Sequence, residues 1–156
     1  MDRITKFFLW LVIAAALYAF WEVAQAQGVA SSSVDQSNVG STICVAGYTD
    51  SVRPPASYTN GLKRRLMRSQ KLSGTPADYE LDHLISLELG GHPTDERNLW
   101  MQPYEGKCNA RDKDRLETRL KRLVCTGHIT LHQAQHEIAT DWVASYNKRI
   151  GPLACN

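Results

Sequence analysis

Asp82 and His83 stand side by side in YELDHLISLELGG, a largely apolar run over Tyr79–Gly91 that closes on paired glycines. An aspartate offers a hard, anionic oxygen suited to a small divalent cation. An unperturbed imidazole has a pKa of about 6.5, so near neutral pH part of it is free to accept a proton. Together they read as a metal ligand beside a general base. The plainer reading is a surface strand that happens to carry two ionisable groups. Two asparagines extend the pattern: Asn98 opens NLW and Asn109 opens NARDKD. Either alone is ordinary turn or helix-cap chemistry. Their order behind Asp82-His83 carries the information.

The elements that must position these residues follow from periodicity. Tyr79 to Ile85 reads as a strand, Gly90-Gly91 and Pro93 as a loop, and Asn98 to Gln102 as a second strand. From about Asn109 to Val124, Leu116, Leu120, Leu123 and Val124 make one apolar helix face, ended by Gly127. Thr130 and Gln133 form a capping-box pattern for a last helix over about 131–147, with Ala134, Ile138, Trp142 and Tyr146 inward. His132 and His136 share a face opposite that stripe and read as exposed. An earlier helix starts near Thr59 or Asn60, with Leu62, Leu66 and Met67 inward. With two strands and three helices, the chain reads as α+β.

At 156 residues the chain suits one domain with a modest core. Its first part differs from the rest. Arg3 and Lys6 precede a charge-free run from Phe7 to Phe20, and Ala24-Gln25-Ala26 follows. Residues 1–26 therefore read as a signal peptide, or as an anchor if the leader is retained. The run is short for a spanning helix, which needs about 20 residues. Removing the leader takes away Asp2, Arg3, Lys6 and Glu22, two of each sign, so the net charge stays at +2. Global charge is then a weak argument for nucleic acid. Residues 27–41, rich in Ser, Gln, Asn and Gly, read as a flexible tether, and 42–156 as the folded domain.

All four cysteines, Cys44, Cys108, Cys125 and Cys155, lie outside the leader, and an even count in an exported chain suggests two disulfides. The absence of C-x-x-C argues against a zinc ribbon. A short link makes the last two helices antiparallel, each about 24–26 Å long at 1.5 Å per residue. The chain end then returns toward the start of the previous helix. This favours Cys108–Cys155 and leaves Cys44–Cys125.

The series DHLISLELGG, NLW, CNARDKD resembles the HNH endonucleases, most clearly over Tyr79–Asp114. The stretches TICVAGYTDSVRPPASYTNGLKRR and KDRLETRLKRLVCTG are also similar to small exported members. The resemblance implies a ββα-metal core, a two-stranded antiparallel sheet plus helix, with flanking helices and disulfide staples. It implies that His83 activates water, that Asp82 and Asn109 bind one divalent cation, Mg²⁺ or else Mn²⁺, and that the Asn98 amide braces the loop. Many members have histidine at the position of Asn109, so Asp112, Asp114 and Glu117 stand as alternative ligands. Ser86 occupies a place where the family often has proline.

Lys63, Arg64, Arg65 and Arg68 form one basic cluster with no acid among them, and Arg111, Lys113 and Arg115 a second, interleaved with Asp112 and Asp114. Both are expected to hold a phosphate backbone; the plainer reading of the second is a solvated, charge-balanced face. The combined expectation is a monomeric, exported, periplasmic or secreted nuclease. It would cleave DNA, with RNA as a further substrate, at little sequence specificity and without stable membrane association once the leader is cleaved. The alternative is an exported nucleic-acid-binding module without catalysis.

Overall fold

The computed structural model describes residues 28–155. The expected signal peptide lies outside the described residues. Among the described residues the fold is α+β, with a two-stranded antiparallel sheet, four helices and two disulfides.

Helix α1 is short, Tyr48–Val52, and is stopped by Arg53-Pro54-Pro55. The two prolines hold the next residues extended. Helix α2, Ala56–Gln70, starts directly after Pro55, one turn earlier than the Thr59 or Asn60 cap expected from sequence. It buries Leu62 and Met67 and packs on the second strand.

Strand β1, Tyr79–His83, pairs with β2, Leu99–Pro103, in the register Asp82 to Trp100 and Glu80 to Gln102. Two lysines cap carbonyls of β1: Lys63 Nζ donates to Tyr79 O at 2.6 Å and Lys113 Nζ to His83 O at 2.7 Å. Cationic side chains of this kind blunt a strand edge. The chain between the strands is tight. Gly90 has φ +71°, and a Cβ on Gly91 would lie 1.7 Å from Ile85 O, so the glycine pair is required by close backbone approach.

Helix α3, Ala110–Cys125, and helix α4, Leu131–Arg149, pack together. Leu116, Leu120 and Val124 of α3 meet Leu131, Ala134, Ile138 and Tyr146 of α4, with Val34, Ile43, Ile85 and Leu89 completing the core. Helix α4 breaks at Asp141, whose Oδ1 accepts from Ala144 N at 2.9 Å and so caps the second half. Disulfides Cys44–Cys125 and Cys108–Cys155 tie the N-terminal segment to the end of α3 and the chain end to its start. Two disulfides point to an oxidising, extracellular environment. Among the described residues no helix is long and apolar enough to cross a membrane.

The segment expected to be a tether is docked instead. Ala30 bridges Gly91, Ser31 N donates to Gly90 O at 2.8 Å, and His92 N donates to Val29 O at 2.7 Å. Val34 enters the core, and Gln36 Oε1 accepts from the Leu131 N–H at the start of α4. Its polar residues are largely turn-formers: Asp35 Oδ1 accepts from Ser37 N, Ser37 Oγ and Asn38 N. A composition that suggests disorder is here the composition of consecutive tight turns.

Candidate functional site

The sheet face bearing Glu80 and Asp82 lies against α3 and the loop after β1. Between them is a cavity of about 280 Å³ lined by Arg53, Glu80, Asp82, His83, Ser86, Leu87, Glu88, Asp114, Glu117 and Thr118. Five carboxylates share this wall with one arginine. A second depression of about 290 Å³ shares Arg53, Glu80 and His83 with it and continues past Asn60, Lys63 and Tyr104.

His83 is buried, at 7% exposure, yet lines both depressions. Its Nε2 lies 3.1 Å from Pro93 O. A carbonyl only accepts, so Nε2 carries the hydrogen and, in the neutral ring, Nδ1 carries the lone pair. Burial lowers the pKa of His83 below the usual imidazole range, against the opposing pull of Pro93 O and Asp82, which favours that neutral form.

Asn98 is fully buried and does not line the cavity. Its Oδ1 accepts from Ile85 N at 2.9 Å and Val29 N at 3.2 Å, and its Nδ2 donates to Ile85 O and His92 O, both at 3.0 Å. One carboxamide thus ties together three chain segments around the loop that carries Pro93. Each bond contributes about 0.5–1.5 kcal/mol net, and losing them would orphan buried backbone groups.

Asp82 Oδ1 accepts from His83 N at 2.6 Å; Oδ2 accepts from Trp100 Nε1 at 3.2 Å and pairs with Lys113 Nζ at 2.8 Å. Lys113 is 1% exposed. Its ammonium also meets Glu117 Oε1 at 2.6 Å, while Glu117 Oε2 accepts from Ser86 Oγ at 2.6 Å. The expected role of Lys113 on a surface phosphate is therefore corrected: it is an internal cation clamped between strand and helix. Ser86, which carried no chemical meaning in the sequence, orients Glu117. A signal was present, since Lys113, Leu116, Glu117, Leu120 and Val124 fall on one helical stripe, and all are buried.

Burial would lower the Lys113 pKa, but Glu117 and Asp82 outweigh it and hold the ammonium above the usual lysine range. One cation between two carboxylates leaves an excess negative charge. Glu117 is accordingly pushed up to about 7, by burial first and by Asp82, against the pull of Lys113. Glu80 is also raised to about 7, by burial and then by repulsion from Asp82 and Asp114, and Asp114 is raised by burial and Asp82. Glu88 Oε2 is buried without a hydrogen-bond partner.

Asn109 does not reach this cavity. It caps α3: its Oδ1 accepts from Asp112 N at 3.3 Å and its Nδ2 donates to Gly106 O at 2.9 Å, while Asp112 Oδ2 accepts from Asn109 N. The expectation that Asn109 and Asp82 share a metal is corrected on this geometry, and Asp112 is spent in the same capping box. Asp114 and Glu117, by contrast, do line the cavity with Asp82. Among the described residues no group of three or more His, Cys, Asp or Glu side chains converges on one point for a metal. Asp82 and Glu117 converge on Lys113 instead.

The remaining basic residues divide. Arg64 and Arg68 line an open depression of about 500 Å³ on α2, together with Lys71 and Met67. Arg65 pairs with Glu96, and the Lys63 ammonium is held by Tyr79 O. Arg111 and Arg115 are exposed on α3 outside the cavity; the Arg115 guanidinium lies 5.7 Å from the Tyr146 ring centre.

No known family model matches this chain, no curated protein is similar enough to count as a match, and no solved structure matches its fold.

Proposed function

We propose that the chain is an exported phosphodiester hydrolase, an endonuclease of the HNH type that cleaves DNA, and RNA as a further substrate, with little sequence specificity. The single observation that carries this reading is His83. Its Nε2–H is fixed on Pro93 O, so its Nδ1 lone pair belongs to a neutral, immobilised imidazole beside a cavity walled by carboxylates. The order strand, braced loop, strand, helix supports the same reading.

The residues present suit one hard divalent cation such as Mg²⁺ or Mn²⁺. The donors are all oxygen, Glu88 Oε2 lacks a partner, and Glu80, Asp82 and Asp114 repel one another without full compensation. Asp82 and Asp114, which line the cavity, would hold it, with water completing its shell. Bound there, such an ion relieves the charge that develops on a phosphate oxygen and on the departing oxygen.

The chain's own groups supply the rest. His83 Nδ1 takes a proton from a water molecule as the water oxygen bonds to phosphorus. The bond from phosphorus to one sugar oxygen breaks, and that oxygen takes a proton from solvent. Asn98 holds the loop so that Pro93 O keeps the ring in one tautomer. Lys113 holds Asp82 against α3. Arg64 and Arg68 face the approaching backbone.

Purified protein with plasmid DNA and Mg²⁺ or Mn²⁺ tests this. His83→Ala should lower nicking by about 10²–10⁴-fold, the range for a positioned general base, while DNA binding changes little. Unchanged nicking by the variant would end the proposal. A second reading has one observation in its favour: the Lys113 ammonium occupies the point where Asp82 and Glu117 converge. On that reading the chain binds nucleic acid without cutting it, and salt-sensitive binding with no cleavage under any divalent cation would select it.

A further inference from the structure

A phosphate attacked by a water on His83 must sit where His83 is reachable, at the junction of the two depressions. Resting on the nuclease reading, we infer that Arg53, a residue the sequence did not single out, binds the scissile phosphate there, and that the substrate strand runs along the depression past Asn60, Lys63 and Tyr104.

Arg53 is the cation that lines both depressions. It closes α1, donating its N–H to Thr49 O at 3.0 Å, and Pro54-Pro55 follow at once, so its backbone is restrained on both sides. It is exposed, whereas Lys63 is held by Tyr79 O and Lys113 is internal. Its charge acts on His83, Glu80 and Asp114, which places it within range of the carboxylate wall and of the base. A phosphodiester entering beside five carboxylates meets strong repulsion. A guanidinium at the entrance offsets it and can grip two phosphate oxygens with a planar fork, which lysine cannot. The depression beyond it offers the Asn60 amide and the Tyr104 ring to sugar and base.

The experiment uses the whole protein and a fluorescent single-stranded DNA. Cleavage is followed under Mg²⁺, and binding in chelator across a salt series. Arg53→Ala should lower kcat by about 10²–10³-fold, the range for losing one transition-state donor. It should also reduce the log–log salt slope of binding by about 0.7, one phosphate contact on a single strand. Arg53→Lys should restore the slope but only part of kcat. Arg97→Ala, an exposed arginine paired with Asp95, should change neither. If the wild type cleaves and Arg53→Ala keeps both kcat and slope, this inference is wrong and the nuclease reading stands. If the wild type cleaves nothing under any divalent cation, both fall.

Discussion

Two charge clusters in this molecule use the same residue types in opposite settings. At the sheet–α3 junction, Lys113 lies between Asp82 and Glu117 with almost no exposure. On α4, Glu137 takes Arg149 and Lys148 at 2.6 and 2.9 Å, with the Lys148 side chain more than half exposed. The outer cluster fastens the second half of the kinked α4 to the first, with Lys148 largely in water and Glu137 and Arg149 only partly covered. The inner cluster has been taken out of water at a cost of several kcal/mol per ion, repaid only because each charge finds close partners. The core holds α3 against α4 through Leu116, Leu120, Ala134 and Ile138 without any charge. Burying ions at the junction is therefore not what holds the fold together; it sets an excess of carboxylate beside His83.

The contrast can be broken most forcefully at Lys113. Lys113→Ala should cost about 3–5 kcal/mol in urea unfolding, because two buried carboxylates lose their common partner. A loss under about 1 kcal/mol would mean that water reaches the inner cluster and that the two regions differ only in position. Next in size is the staple at the outer end. Cys108→Ser with Cys155→Ser should cost about 2–4 kcal/mol. Hydrogen exchange should localise the loosening to the chain end and the start of α3. Loosening centred on β1 instead would show that the two regions are not separable.

The smallest effect belongs to Glu137. Arg149, with help from Lys148 and against partial burial, holds its carboxyl down to about 2, from an ordinary 4.5. A depressed carboxylate adds stability that is complete above its unfolded pKa. Here that share should fade as pH falls from about 4.5 toward about 2. Glu137→Gln should cost about 1 kcal/mol at neutral pH, since Lys148 stays largely in water while Glu137 and Arg149 are partly covered. It should also flatten the acid limb of the stability curve within that window. An unaltered acid limb would show that the outer cluster contributes nothing, and would widen the gap between the two settings.

Much of the frame is legible from local pattern. The strand pair, the α3 stripe, the Thr130 cap and the pairing of cysteines follow from period, caps and helix length. The Asn98 carboxamide binds backbone at Ile85, Val29 and His92, a bracing that only the family resemblance suggested. Other features are hidden because they depend on contacts distant in sequence. Residues 28–41 resemble a tether because turn-forming and disordered compositions overlap, and one valine in the core is no periodic signal. Arg53 gives no signal of its own, because a lone arginine before two prolines reads as a loop charge until the fold brings Glu80 and His83 to it.

By itself the sequence determined the strand pair and the three longer helices, that Asp82-His83 sits on a strand ahead of a basic helix, and that four cysteines suffice for two bridges. Only the tertiary structure decided which residues of that helix meet Asp82. Successive helical residues turn by about 100°, so Asn109, Asp112, Lys113, Asp114 and Glu117 point in several directions. Docking of the Leu116–Leu120 stripe onto the core chose the phase that carries Lys113 and Glu117 inward, brings Asp114 to the cavity wall, and leaves Asn109 to cap the helix.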